Sequence, residues 1–467
     1  MPLPGSEVTI IEELPARSAA IDTGAGFLAA IAERGPLDRA VEVRSVRQLR
    51  RTFGEIVNYS ELEAHAQAFF SRGGSKLFVG RVAGPAPLNA TGALSDGATG
   101  DALTVTAVNA GAWGDAIDVE FTYDTGDLTA VVKYNDVEVE NSGVQDGKTG
   151  IAAWSLTSEY VRITDGGGGN PTSATVALTG GDDDHANITT AEWQLALDLF
   201  VAELGPGQVM IPAVSTTAVH ALLLAHAEAN NRFALCDGVD DVATNLATAS
   251  ADRATGKGRY GTIVAPEVLE SNATRAGSPY VAGRLAFTDR TAGPGQYAAG
   301  SIYGEIGGAA ASVDYTDDER ANLNDAGVQV IRNMTGGGRI YGFRTLAEED
   351  SPYTEAAHAR VIMSLRADLE TVLEEYVLRK VDGRGLLLSQ LAGDLAAVCL
   401  RYYNPPRNDL FGATPQEAFR VDTGSAINTP ETLASNELHA AVAVRISPGA
   451  ERVYLTLTKA ATADSLA

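Results

Sequence analysis

A change of texture in the middle of the chain constrains its folding more than any other feature. Residues 86–190 hold sixteen acidic and three basic residues, a net charge of −13, whereas the ten acids and ten bases of residues 1–85 cancel. The same segment is rich in Gly, Thr, Asp and Asn, and its apolar residues alternate, as in ALTVTAV (102–108) and AIDVEF (116–121). A period of two over short runs bounded by turn residues predicts an all-β unit. Acids on the outer faces of those strands predict a solvated, outward-facing domain rather than one packed inside an assembly. At 467 residues the chain has room for about two to four such units, each with its own core.

The flanking segments read differently. EVTIIEEL (7–14) is a strand pattern set between Pro4-Gly5 and Pro15, so the N-terminus reads as an extended arm. FLAAIAERGPLDRAVEVRS then predicts a strand, a Gly35-Pro36 turn and a second strand. SELEAHAQAFFSR (60–72) puts Leu62, Ala66, Phe69 and Phe70 on one helical face, and KLFVGRV follows as a strand. Residues 191–265 alternate helix and strand, through AEWQLALDLFVAEL, QVMIPAV, TTAVHALLLAHAEAN, RFALCDG and YGTIVAP. That alternation predicts a parallel α/β sheet. Val361, Ile362, Leu365, Leu369, Val372, Leu373, Tyr376 and Val377 recur at helical spacing over 353–378. Two strand patterns, LHAAVAVRI (438–446) and RVYLTLTK (452–459), close the chain.

Several motifs invite a chemical reading, and each has a plainer one. Asp22-Thr23-Gly24, Asp124-Thr125-Gly126 and Asp422-Thr423-Gly424 carry the aspartic-protease triplet, but no repeat of two similar halves surrounds them, so they read as turns. Gly147-Lys148-Thr149 fits the second half of a phosphate loop, but Ser142 stands where the first glycine belongs. In its β-rich context it predicts a hairpin turn with no helix after it. Asp182-Asp183-Asp184-His185 lacks calcium-loop spacing and reads as a solvated acidic loop. His220 and His226 are six apart, which is not the zinc spacing on a helix. Cys236 and Cys399 lie in apolar surroundings and read as buried, inert thiols. No catalytic, cofactor or metal site emerges, and a net charge of −25 argues against a nucleic-acid groove. The start lacks the pattern of a signal peptide and no run reaches about twenty apolar residues, so a cytoplasmic protein without direct membrane insertion is expected.

Residues spread along the whole chain resemble, in order, the contractile tail sheath proteins of bacteriophages and related contractile injection systems. They begin with Pro4-Gly5, Glu12-Glu13, Phe27 and Glu33-Arg34-Gly35-Pro36-Leu37. Val43-x-Ser45, Phe53-Gly54, Phe69-Phe70-Ser71-Arg72-Gly73-Gly74 and Leu77-Phe78-Val79-Gly80-Arg81-Val82 follow. NAGAWGDAIDV (109–119), LTGGDDD (178–184), DDERANLNDAGVQVIR (317–332), YGFRTL (341–346) and the segment 414–453 complete the match. The stretch 379–406 departs from it, lacking the tryptophan-bearing pattern many sheath proteins show there.

The resemblance implies an α+β multidomain fold whose α/β core domain is discontinuous, drawn from the N- and C-terminal regions. The implied order is an N-terminal arm (1–20), the first core segment (21–87), an inserted acidic β-rich domain (88–187), an inserted α/β domain (188–345), the second core segment (346–450) and a C-terminal strand and arm (451–467). It implies a non-enzymatic subunit that stacks as six-fold rings around a tail tube and contracts to drive the tube through a cell envelope. No cofactor is implied. The implied partners are further copies of the chain, the tube protein, and baseplate and tail terminator proteins; the implied location is the virion tail, after assembly in the bacterial cytoplasm. The arm residues Val8, Ile10, Ile11 and Leu14 would link subunits by strand addition, and Val453, Tyr454, Leu455 and Leu457 would form the C-terminal pairing strand. A basic cluster after the long helix, Arg379, Lys380 and Arg384, is either a helix-dipole feature or a contact to an acidic tube. An α/β enzyme with its site in 191–265, or a tube or capsid subunit, are the alternatives; the first lacks a nucleophile with a base, and the second is usually shorter.

Overall fold

FLAAI and, Arg81 apart, LFVGRV are apolar on both faces, which suits strands covered on both sides. Gly26–Ile31 and Leu77–Val82 pair in parallel, with Phe27 opposite Phe78 and their rings stacked at 5.1 Å. The computed structural model describes residues 22–55, 57–98, 100–451 and 454–455. These two strands sit in an eight-stranded sheet in the order Gly337–Tyr341, Val328–Met334, Gly261–Ala265, Phe233–Asp237, Gln208–Met210, Gly26–Ile31, Leu77–Val82, Val41–Val43. The six central strands run parallel and each edge strand antiparallel. Helices Val46–Phe53, Leu62–Ser71 and Ser278–Thr291 pack on one face. Thr190–Asp198, Thr217–Ala229, Val242–Arg253 and Asp317–Asp325 pack on the other.

This sheet corrects the division drawn from the sequence. Segments 21–87 and 188–345 do not form separate layers, because Gly26–Ile31 has Leu77–Val82 on one edge and Gln208–Met210 on the other. A strand buried on both faces needs both partners, and only the two segments together supply them. Segment 346–450 adds no strand to the sheet. It forms its own layer of helices Ala356–Glu374 and Leu386–Tyr403 over a two-stranded sheet, while Leu346 and the start of the long helix (Ala356, Ala357, Met363) join the cores of the main sheet.

The strands of residues 91–177 pair only among themselves, as a three-stranded and a larger antiparallel sheet around one apolar cluster. Ile117, Val119 and Phe121 face inward against Leu128, Ala130 and Val132, while Glu120 faces out to Lys133. A helix, Gly147–Ser155, begins at Gly147-Lys148-Thr149, where the sequence predicts only a turn. Ile151 and the partly buried Trp154 give it a face on the β core, a pull the local motif does not show. Lys148 is spent on Asp165 Oδ1 (2.7 Å) and the Gly168 carbonyl (2.9 Å). This unit is latched to the main sheet at Glu33-Arg34. The Arg34 guanidinium sits 5.5, 5.5 and 5.2 Å from the rings of Trp113, Tyr134 and Tyr160, and the Tyr134 hydroxyl donates to Glu33 at 2.8 Å. Buried Arg81 donates to the carbonyls of Ala32, Glu33 and Gly35 and fixes that turn.

Candidate assembly interface

Two antiparallel helices, Ala356–Glu374 and Leu386–Tyr403, build the C-terminal layer. Val361, Leu365, Val398, Cys399 and Tyr402 fill the seam between them. Ser364 Oγ and the Tyr402 hydroxyl lie 2.6 Å apart, and Tyr402 donates to Asp368 at 2.9 Å. Against this seam lies a sheet of only two strands, Phe419–Asp422 and Ala441–Val444. Phe419, Val421, Val442 and Val444 turn toward the helices, while Ala441 and Ala443 stay exposed. Each strand has one neighbour among the described residues. The outer edges therefore offer backbone donors and acceptors beside an apolar floor, the geometry that accepts an added strand.

The predicted linking residues Val8, Ile10, Ile11 and Leu14 lie outside the described residues, as do Val453 and Leu457. Tyr454 and Leu455 belong to no strand here and are 85% and 88% exposed, so the second strand pattern of the tail is not paired within the chain where it is described.

Arg379, Lys380 and Arg384 are all exposed on the connection between the two long helices. Leu378, which follows the end of the first helix, adopts φ +62° and is 98% exposed. Leu378 is thus a bulky residue in the left-handed region with its apolar side chain turned to solvent. Leu373, Val377, Val381 and Leu386 are exposed around it, so the basic cluster rims an apolar tip. Arg379 lies 4.8 Å over the ring of Tyr376, whose hydroxyl donates to Asp394; burial first, then that carboxylate, pushes Tyr376 up to about 12. The Asp382 carboxylate accepts from the N–H groups of Leu387, Leu386 and Arg384 at 3.0, 3.2 and 2.8 Å, which hold it below its usual range at the start of the second helix. The sequence puts Leu373 and Val377 on the apolar face of the long helix, but they are exposed, at and just beyond the helix end at Glu374; the pattern does not single out Leu378 and Val381.

The remaining motifs resolve into structural roles. Asp22 and Asp422 each accept the N–H two residues on, from Gly24 (2.9 Å) and Gly424 (2.8 Å), and Thr125-Gly126 turn a hairpin at positive φ. Asp183 corrects the reading of a solvated loop. It is buried, 2.6 Å from His185 Nδ1, because the run folds back on the sheet and its carbonyl accepts Gly84 N–H. His220 is buried against Asp252 at 2.7 Å, and both cysteines are buried. At the carboxyl ends of the parallel strands, where α/β folds commonly hold ligands, Asp237 accepts from Ser278 N–H (2.8 Å), Ser278 Oγ (2.7 Å) and Ala213 N–H (3.2 Å). Its oxygens hold loops together, and burial pushes it up to about 6. Among the described residues no group of three or more potential ligands could hold a metal, and no helix is long and apolar enough to cross a membrane.

No family profile matches the chain, and no curated protein matches it in sequence. Solved structures do match in fold. The sheath tail protein of Listeria innocua is similar with a TM-score of 0.65 and 15% identity, over 88% of this chain and 91% of that one. That of Desulfitobacterium hafniense gives 0.63 and 14%, over 90% and 93%. The helical sheath of the anti-feeding prophage in its contracted state gives 0.59 and 16%, over 98% and 100%. From its parallel sheet through the acidic β unit to the C-terminal helix pair, this chain has the fold of the sheath subunits of contractile tails and injection systems.

Proposed function

We propose that this chain is the structural subunit of a contractile tail sheath, stacked as six-fold rings around a tail tube and contracting to drive the tube through a target envelope. The fold likeness over nearly the full length of contractile sheath subunits carries the reading. The two-stranded sheet with open edges supports the way subunits join: residues 7–14 of one copy and the tail strand of another add to it. An arm of seven or eight residues spans roughly 25 Å. At about 0.5–1.5 kcal/mol net per backbone hydrogen bond it contributes a few kcal/mol, weak for one pair and strong over a polymer. The apolar tip with Arg379, Lys380 and Arg384 faces the tube, and the acidic β unit faces out. Baseplate and terminator proteins cap the polymer, which is built in the bacterial cytoplasm and resides in the tail. Negative-stain microscopy of the purified chain tests the proposal: tubes of uniform width are expected, and small particles at every concentration would reject it.

A further inference from the structure

The roots of both terminal segments sit on one short stretch of the body, residues 289–297. At the N-terminal root, the Thr23 hydroxyl donates to Asp289 Oδ2 at 2.7 Å, and the Thr23 carbonyl accepts from Gln208 Nε2 at 2.9 Å. Asp289 is held from its other side by Arg360, which donates to both of its carboxylate oxygens at 2.7 and 2.6 Å. The two side chains are 3% and 0% exposed. Releasing one partner would leave a buried, uncompensated charge, so the pair moves as a unit or not at all.

Past the helix Ser278–Thr291 the chain turns at Gly293, with φ +102°. Asp409 packs so tightly behind this turn that a Cβ on Gly295 would come within 2.3 Å of its Oδ1. Asp409 pairs with Arg407 at 2.8 Å, and its carbonyl accepts Ser447 N–H at 2.9 Å. Ser447 begins the C-terminal root. Two residues on, Gly449 N–H donates to the Tyr297 hydroxyl at 3.1 Å, and a Cβ on Gly449 would strike that ring at 2.2 Å. Arg344 then fixes Glu451 at 3.0 Å, with Asp325 at 2.9 Å on its other side.

We propose that residues 289–297 form a shared anchor for the two terminal segments, with Asp289 and Tyr297 as its positioning residues, so that loosening either root loosens the other. The proposal rests on the reading that these segments link subunits, and it adds that the two links leave each subunit from one rigid point. Pull on one arm would then reach the other through the Asp289–Arg360 pair and the Asp409 turn, without passing through the two-stranded sheet.

Amide hydrogen exchange of the full-length unassembled chain tests it. Thr23→Val removes one hydroxyl at nearly constant shape, and Tyr297→Phe removes the other. Losing one hydrogen bond corresponds to about fivefold in a local opening equilibrium. Thr23→Val is expected to speed exchange about that much at 22–26 and also measurably at 447–451; Tyr297→Phe should do the converse, and Thr23→Ser should restore the parent rates at both roots. Exchange that rises only at the root carrying the substitution overturns the shared anchor, as does a parent whose roots already exchange like free peptide. If one variant is unstable, the other still decides the question. The linking role is tested apart from this by sedimentation of a chain lacking residues 1–21: if it polymerises, the linking role falls while the exchange result stands.

Discussion

His65 is buried with neither ring nitrogen hydrogen-bonded, and burial depresses it to about 4; His226, buried beside Arg232, is likewise depressed to about 4. Between pH 6.5 and 4 the unfolded chain binds protons that the folded chain refuses, so the stability these residues contribute is full above 6.5 and falls as pH drops to 4. Asp237 and Asp409, raised to about 6 by burial, act with the opposite sign between 3.8 and 6: the folded chain keeps protons that the unfolded chain releases, and stability falls as pH rises through that window. The two sets partly cancel near pH 5. Replacing His65 by Leu should therefore reduce the acid loss by roughly 2–3 kcal/mol, read from urea midpoints at pH 7 and 4.5. Removing the Arg34 cage by Arg34→Ala should cost about 1–2 kcal/mol and loosen the β unit more than the main sheet, measured by thermal melting and by proteolysis within 88–187. At this scale the sequence reveals buried cysteines and Asx turns, because those follow from nearest neighbours. It does not reveal the Arg34 cage or the Asp289–Arg360 pair, whose partners are brought together only by the tertiary fold.

Elements with a clear period were legible in kind: the helix predicted over 353–378 forms over Ala356–Glu374, the strand predicted over 438–446 forms over Ala441–Val444, and the β unit has the alternating strands its pattern predicts. The Gly147–Ser155 helix was not, since its apolar face is short and its packing surface comes from strands distant in sequence. Deleting residues 1–15 should leave a folded subunit, because residues from Ala25 onward fill the cores of the main sheet among themselves, yet abolish polymerisation; circular dichroism and sedimentation check the two halves. At the helical tip, reversing Arg379, Lys380 and Arg384 to Glu should leave the melting midpoint unchanged and polymerisation intact but prevent coating of tubes at low salt. Normal coating by that variant would reduce the cluster to a solvated turn.

For the molecule as a whole, the sequence separates an acidic β texture from α/β surroundings, but it does not show that segments 21–87 and 188–345 share one sheet. Parallel pairing leaves no local signature: nothing in FLAAI names QVM, nearly two hundred residues on, as its neighbour. The two ends of the β unit do meet, with Leu88 N–H donating to the Asp182 carbonyl at 2.7 Å. Exchanging residues 88–187 for a short Gly/Ser linker should thus keep ring assembly, and a folded variant unable to assemble would contradict the outward placement. The central claim, that copies of this chain join by strand addition into a six-fold sheath, is tested most directly by cryo-electron microscopy of the polymer formed by the purified protein. The account predicts six-fold cross-sections in which the sheet of Phe419–Asp422 and Ala441–Val444 is extended by strands from neighbouring copies. Another symmetry, or a two-stranded sheet with bare edges in the polymer, would contradict it.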